Sequence, residues 1–208
     1  MRDLHTKTLI FDLGGVILDL SVNQTLEAFS TLSGFEKERV QQIFQQSPGF
    51  ELYERGAISD AEFRDFIRES YFPGASDQDI DKCWNAMLLS VPTEKLELLE
   101  QLKKSYHVIL LSNTNTIHLA HINTVIMPTV SAMHSLDSFF HRSYYSHLMG
   151  MRKPDTEIFE RVLDENNLVA EETLFLDDNK MNVDGAASIG IKTVHVTYSN
   201  LILEYFNA

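Results

Sequence analysis

Five short apolar runs along the chain have the length and composition of buried β-strands. They span residues 8–13, 107–111, 142–145, 173–176 and 192–196, and the run at 142–145 is the weakest match. Between the later runs, apolar residues recur at helical spacing in residues 93–104, 155–166 and 179–189. Strands that alternate with helices in this way are typical of a parallel sheet built from βα units.

Residues 20–88 interrupt this alternation, because they contain no run that resembles a strand. Residues 24–46 predict one or two helices with a break at Gly34. Residues 59–70 open with Ser-Asp-Ala-Glu, the sequence of a capping box, and residues 76–89 carry a further helical pattern. The segment is therefore predicted to be an all-helical insertion between the first strand and the rest of the sheet.

The pattern divides the chain into two parts. We expect an α/β core domain formed by residues 1–19 and 89–208, and a helical cap domain formed by residues 20–88. Since the insertion directly follows the first strand, it is expected to lie over the end of that strand. In such a position it can act as a lid that excludes water.

Composition and charge narrow the possible functions. A chain of 208 residues suits one good-sized domain, or a core with a small lobe. Its net charge of -13 argues against nucleic-acid binding, since phosphate backbones attract Lys and Arg. No apolar run reaches the roughly 20 residues of a membrane span, and the single Cys83 cannot form an internal disulfide. We expect a cytoplasmic protein without a membrane or nucleic-acid partner; the sequence leaves its oligomeric state open.

Polar residues follow three of the predicted strands and precede one predicted helix. Ligands bind at the carboxyl ends of strands in open α/β sheets, so these positions indicate a site. The residues are Asp12 with Gly14 and Gly15, Ser112 and Asn113, Lys153 within GMRKPD, and Asp177 and Asp178.

Each of these residue types has a use in phosphoryl transfer. A carboxylate such as Asp12 can attack phosphorus and form an aspartyl phosphate. Asp177 and Asp178 can hold Mg2+, and a backbone carbonyl such as that of Gly14 can serve as a further ligand.

The remaining polar residues suit the phosphate itself. Ser112 and Asn113 stand where a helix begins, and free N–H groups there favour anions. Lys153 supplies a fixed positive charge for the charge that develops in the transition state.

The ordered segments FDLGGVI, LLSNTN, MRKPD and FLDDNxxNVxGA resemble the four motifs of the haloacid dehalogenase (HAD) superfamily. The resemblance covers most of the chain, because the helical insertion is similar to the small cap of that family. Within the family, the LSNTN and GMRKP runs and the segment ERGAISDAEF are most similar to sugar-phosphate phosphatases that resemble α-D-glucose-1-phosphate phosphatase.

The resemblance implies a fold and a set of roles. The fold is a doubly wound, five-stranded parallel sheet of order 5-4-1-2-3 with an inserted all-helical cap. The implied cofactor is Mg2+ and the implied partner is a small phosphorylated metabolite. The implied site residues are Asp12 as nucleophile and metal ligand, the Gly14 carbonyl and Asp178 as metal ligands, Asp177 as holder of a metal-bound water, Ser112 and Asn113 as phosphate ligands, and Lys153 as a phosphate-binding and catalytic residue.

Gly14 departs from the usual pattern. Most phosphatases of this family carry a second Asp there, which protonates the leaving group and then activates water. General acid–base help contributes about 10²–10⁴-fold, or roughly 3–5 kcal/mol of barrier. The sequence offers Asp177 as a substitute, or a cap residue such as Glu54, which is expected in a loop between Tyr53 and Gly56. The similar sugar-phosphate phosphatases also carry Gly at this position.

The sequence therefore predicts a Mg2+-dependent phosphatase that hydrolyses a small phosphate monoester, such as a sugar phosphate, through an aspartyl-phosphate intermediate. Two alternatives stay open. The first is a phospho-ligand-binding protein with weak or no turnover, because Gly14 replaces the acid/base residue. The second is a 2-haloacid dehalogenase. Members of that group typically carry an aromatic residue at this position and do not need the paired late carboxylates.

Overall fold

The computed structural model describes residues 5–131 and 135–207, and within them a five-stranded parallel sheet. The order is β3-β2-β1-β4-β5, which is the predicted order read from the opposite edge and is therefore confirmed. The strands are β1 (Thr8–Phe11), β2 (His107–Ser112), β3 (Arg142–Tyr145), β4 (Thr173–Asp177) and β5 (Lys192–His195).

The insertion between β1 and the rest of the sheet is helical. An isolated antiparallel β-bridge between Leu20 and Leu88 joins the two ends of the insertion. Its helices are α1 (Val22–Ser33), α2 (Lys37–Gln46), α3 (Gly49–Glu54), α4 (Asp60–Ser70) and α5 (Asp77–Asn85).

The remaining helices connect the strands. A π-helix (Ile122–Ile126) joins two of them, and 3-10 turns cover Leu136–Phe139 and Ala170–Glu172. The helices are α6 (Thr93–Leu102), α7 (Thr116–His121), α8 (Met127–Val130), α9 (Ser146–Met149), α10 (Thr156–Asn166), α11 (Lys180–Ser188) and α12 (Leu201–Asn207). In the part of the chain that the structure describes, no helix is long and apolar enough to cross a membrane.

Helices cover both faces of the sheet. Successive strand side chains point to opposite faces, and Leu9 packs with Leu99 of α6 and Phe206 of α12. Ile10 points to the other face of the sheet, where it belongs to a separate hydrophobic cluster with Phe159 and further residues of α10 and α11. Burial on both faces explains why the strands are almost wholly apolar in sequence.

The insertion has an aromatic core of its own. The ring centroids of Phe44 and Phe50 lie 3.8 Å apart, and those of Tyr53 and Phe63 lie 4.1 Å apart. Ile117 of α7 joins this cluster, so the insertion packs on the sheet domain through α7. Paired rings of this kind add about 0.5–1.5 kcal/mol each beyond the area they bury.

Local signals in the insertion give most of its helix ends. Gly34 ends α1 in the left-handed conformation (φ 71°), which confirms the predicted break. Ser59 and Glu62 form the predicted capping box. The expectation of a loop at Glu54 was wrong, because Glu54 is the last residue of α3. That helix has only six residues, and the burial of Phe50 and Tyr53 on one side stabilises it.

Candidate active site

The predicted polar residues meet at the carboxyl edge of the sheet. Asp12 follows β1, Ser112 ends β2 and Asp177 ends β4. These ends are adjacent because β1 lies between β2 and β4. The Asp12 N–H donates to the carbonyl of Leu176 (2.9 Å), which extends the strand pairing as far as the carboxylate.

Lys153 joins the two buried carboxylates. Its Nζ donates to Asp12 Oδ1 (2.6 Å), to Asp177 Oδ2 (2.7 Å) and to the carbonyl of Leu111 (2.9 Å). All three ammonium donors are thereby used, and the side chain is 1% exposed. Removing one member of such a buried group leaves an uncompensated charge, so the three side chains depend on one another.

The electrostatics of this group favour a charged Lys153. Burial lowers the pKa of Lys153, but the charges of Asp12 and Asp177 outweigh burial and raise it. Burial raises the pKa of Asp12, Lys153 opposes that shift and Asp177 adds to it. The net shift of the Asp12 pKa is upward, so burial and Asp177 disfavour its ionised form, which a further cation nearby would favour.

Asp177 is fully buried and its oxygens are occupied. Besides Lys153, it accepts from the N–H of Asn179 (2.8 Å) and from Nδ2 of Asn182 (3.1 and 3.0 Å). The role of Asn182 was not predicted. Its place in the first turn of α11, five residues after Asp177, was the available signal.

Asp12, Asp177 and Asp178 form a group of carboxylates with the spacing of a metal site. One oxygen from each lies within 4.8 Å of the others. Burial, followed by the charge of Asp177, raises the pKa of Asp178, and Lys153 opposes the shift. Mg2+ prefers oxygen ligands of this kind, so the donor set fits that ion.

Gly15 makes room for this group. It adopts φ 71°, and a Cβ at this position would overlap the carboxylate of Asp178. A glycine is therefore required both by the backbone conformation and by the close approach of Asp178.

Asn113 holds the Lys153 backbone in place. Its Nδ2 donates to the Lys153 carbonyl and its Oδ1 accepts from the Lys153 N–H, each at 2.9 Å. The donor and the acceptor group of the side-chain amide both take part in these two bonds. The buried Ser112 hydroxyl makes only a long contact (3.5 Å) to the Asn113 carbonyl and can turn to another acceptor.

A cavity of about 220 Å³ lies between this edge of the sheet and the insertion. The insertion contributes mainly apolar walls, and the core contributes both polar and apolar ones. Within the described residues, Glu54 and His118 are the ionisable side chains among those that line it. The lining residues include Gly14, Leu20, Phe44, Glu54, Trp84, Met87, Leu88, Ser112, Asn113, Thr114 and His118.

Gly14 lies at the floor of this cavity. A Cβ at position 14 would overlap Cδ1 of Leu20. The end of Leu20 therefore lies in the space that a longer residue at position 14 would enter. Among the described residues, Glu54 is the carboxylate that lines the cavity, and it belongs to the insertion.

The insertion contacts the core on both sides of Lys153. Glu54 Oε2 accepts from Arg152 Nη2 (2.8 Å) and Nε (3.2 Å), and Arg55 Nη2 donates to Asp155 Oδ2 (2.6 Å). Gly56, with φ 65°, lies so close to the carbonyl of His147 that a Cβ there would overlap it. The end of α3 thereby lies beside Lys153.

His118 connects α7 to the insertion. Its ring stacks on Trp84 (4.6 Å between centroids), and its Nε2 lies 3.1 Å from the Trp84 carbonyl. Asn115 Nδ2 lies 3.2 Å from the other ring nitrogen. Burial lowers the pKa of His118 to about 4, so the ring is neutral and both nitrogens are engaged.

A family model described as haloacid dehalogenase-like hydrolase matches residues 6–190. The chain therefore belongs to the haloacid dehalogenase-like hydrolases, as its motifs indicated. A D-ribitol-5-phosphate phosphatase of Bacteroides thetaiotaomicron is 29% identical over 188 residues, which cover 90% of each chain.

Solved structures agree with this membership. A HAD family enzyme of Bacteroides thetaiotaomicron, crystallised with magnesium and inorganic phosphate, superposes with a TM-score of 0.83 at 37% identity, covering 91% of this chain and 93% of that one. A predicted HAD-like hydrolase of Porphyromonas gingivalis reaches 0.82 at 28% identity, covering 91% and 90%.

Proposed function

We propose that the protein is a Mg2+-dependent phosphatase that hydrolyses a small phosphate monoester, such as a sugar phosphate, through an aspartyl phosphate on Asp12. The observation that carries the proposal is Lys153, buried between Asp12 and Asp177 at 2.6 and 2.7 Å, with Asp178 in the same carboxylate group. The similarity to a D-ribitol-5-phosphate phosphatase and to an enzyme crystallised with magnesium and phosphate supports it.

The metal would be held by Asp12, Asp178 and the carbonyl of Gly14. Asp177 already accepts from Lys153, Asn179 and Asn182, so we propose that it would not bind the ion directly and would instead hold a water. Mg2+ would neutralise part of the phosphate charge when bound.

The phosphate would be bound by three groups from the core. These are the Ser112 hydroxyl, the Asn113 N–H and the Lys153 ammonium, which would exchange one of its three present acceptors for a phosphate oxygen. Asp12 then attacks phosphorus, and the bond from phosphorus to the leaving oxygen breaks. Lys153 stays charged throughout and offsets the negative charge that develops on the transferring group.

Residues 20–88 are proposed to act as a cap that closes over this site, on a core of residues 1–19 and 89–208. The ion pairs at Arg152 and Asp155 and the cavity of about 220 Å³ beneath the insertion support that role. A cavity of that size suits a small metabolite. We place the protein in the cytoplasm, since its single Cys83 is buried and needs no oxidising compartment.

Phosphate release from a panel of sugar and alkyl phosphates, with Mg2+ and with EDTA, tests the proposal. We expect Mg2+-dependent release by the natural protein and by Asp184→Asn, an exposed control on α11. Asp12→Asn should release none. Equal turnover by Asp12→Asn would overturn the proposal, and Mg2+-dependent thermal stabilisation by phosphate without release over hours would replace it with a binding function.

A further inference from the structure

Glu54 is the one carboxylate among the described residues that line the cavity. It shares that lining with Gly14, Ser112 and Asn113, so it faces the same space as the groups that would bind phosphate. It belongs to the insertion, whose side of the cavity is the one a leaving group would occupy. A proton donor for that leaving group would have to stand on this side.

Two other ionisable groups at or near the cavity, Asp177 and His118, are poor proton donors. Asp177 is fully buried and accepts from Lys153, Asn179 and Asn182. The ring nitrogens of His118 are engaged by Trp84 and Asn115, as described above. Both side chains are thereby committed to holding the structure.

Glu54 is held by one oxygen only. Oε2 accepts both hydrogen bonds from Arg152, and the described part of the chain places no donor on Oε1. The side chain is 26% exposed, so a proton on Oε1 can exchange with solvent or with a ligand. Arg152 precedes Lys153, and this anchor fixes Glu54 relative to the phosphate-binding lysine.

We propose that Glu54 is the general acid and base of the reaction, in place of the carboxylate that Gly14 lacks. The inference rests on the proposed phosphatase function and names a further catalytic residue for it. It places the nucleophile on the core and the proton carrier on the insertion.

The proton balance closes over two steps. In the first, Asp12 bonds to phosphorus, the bond from phosphorus to the ester oxygen breaks, and that oxygen takes the proton of Glu54. In the second, Glu54 takes a proton from a water molecule, whose oxygen attacks phosphorus and releases Asp12. The products are the free alcohol and inorganic phosphate, and Glu54 is protonated again.

The electrostatic surroundings of Glu54 suit this role. Burial is the largest influence on the pKa of Glu54 and raises it, and the charge of Glu51 raises it further. The charges of Arg152 and Lys153 lower the pKa. The net shift is upward, toward the working pH of a general acid.

Glu54→Gln tests the inference, because Gln keeps an acceptor for Arg152 and loses the proton. Glu51→Gln is the matched control, since Glu51 lies on the same helix, is exposed and pairs with Arg55. Each variant is assayed in the pre-steady state, with substrate in excess over enzyme. The substrates are an alkyl phosphate, whose leaving group needs a proton, and 4-nitrophenyl phosphate, whose leaving group does not.

We expect Glu54→Gln to slow cleavage of the alkyl phosphate by about 10²–10⁴-fold. With 4-nitrophenyl phosphate it should give a burst of nitrophenolate at the normal rate, followed by slow turnover. In the natural protein, the rate for the alkyl ester should fall at high pH as Glu54 loses its proton, and Glu54→Gln should lack this alkaline limb. Glu54→Asp should recover part of the rate and show the alkaline limb again. Glu51→Gln should keep the cleavage rate and the alkaline limb, with the limb displaced to slightly lower pH because the charge of Glu51 raises the pKa of Glu54.

Two results would overturn the inference. One is normal cleavage of the alkyl phosphate by Glu54→Gln. The other is an equal loss with both substrates, burst included, since that would mean that Glu54 only seats the insertion. The result for Asp12→Asn separates this failure from that of the proposed function, because an active Asp12→Asn protein would refute the phosphatase mechanism itself.

Discussion

Leu20 occupies the space into which any side chain at position 14 would project. The two residues lie at opposite ends of the turn that leads from β1 into the insertion. A side chain at position 14 therefore requires the end of the Leu20 side chain to move.

Gly14→Asp should impair the enzyme for this reason. The new side chain would push the end of Leu20 into the cavity of about 220 Å³, where the substrate is proposed to bind. Because the displaced end of Leu20 would take up substrate space, we expect KM to rise about tenfold, which corresponds to about 1.4 kcal/mol. The double variant Gly14→Asp/Leu20→Ala should recover most of the loss. Steady-state kinetics on one phosphate ester give kcat and KM for the single and the double variant. A higher kcat at unchanged KM in Gly14→Asp would contradict the expectation.

Gly15→Ala should weaken Mg2+ binding. Its Cβ would overlap the carboxylate of Asp178, which must move away from Asp12 and Asp177. We expect a loss of about 10–100-fold in Mg2+ affinity, as for other disturbed metal surroundings. Gly34→Ala is the matched control, because Gly34 has the same φ of 71° and open space around it. Calorimetric titration measures the affinity, and equal affinities in the two variants would show that the contact at Asp178 does not matter.

Gly56→Ala should loosen the insertion. The added Cβ would overlap the carbonyl of His147, a backbone atom that cannot rotate away. We expect a loss of about 1–3 kcal/mol in the free energy of unfolding beyond that of Gly150→Ala. Gly150 has a similar φ of 68° but no atom within 4 Å of its Cβ position. Urea denaturation measures the free energy of unfolding of both variants. An equal loss would contradict the prediction, because it would mean that backbone strain alone, and not the contact with His147, causes the effect.

His118 should make the stability of the protein depend on pH. Burial lowers its pKa to about 4 in the folded state, whereas the ordinary value is 6.5. The unfolded chain thus binds more protons between these values. The stabilising contribution is present above pH 6.5 and is lost as pH falls toward 4; a shift of this size corresponds to roughly 3 kcal/mol.

Unfolding measured between pH 4 and 7 checks this expectation. His118→Gln should flatten the dependence on pH. His121→Gln, which changes a less buried histidine at the end of the same helix, should keep most of it. If His118→Gln retained the full slope, the sensitive group would lie elsewhere.

The sheet and the four segments of the site follow from local patterns. The run from Thr8 to Phe11 is apolar because both faces of a central strand are buried. Asp12 and Asp177 are recognisable because a charged residue directly after such a run must lie at the edge of the sheet. Local patterns therefore predict the strands and the residues at their ends, whereas the strand order comes from the resemblance to the HAD superfamily.

Other features depend on contacts between distant segments, which no local pattern encodes. Glu54 and Arg152 are 98 residues apart, and their pairing exists only once the insertion is seated. The packing of Leu20 against position 14 and the hydrogen bonds of Asn113 to the Lys153 backbone are of the same kind. Helix α3 was missed because six residues give too short a period to distinguish a helix from a loop.

The central position of β1 has a consequence for the synthesis of the protein. The ribosome makes Asp12 early, whereas Lys153, its counter-ion, is 141 residues further along the chain. At roughly 5–20 residues per second, the carboxylate waits about 7–28 s for that partner. Until β4 also joins the sheet, the nascent chain carries a solvated Asp12 and no assembled catalytic centre. Hydrolytic activity therefore emerges in one late event, and a chain interrupted before residue 173 should have none.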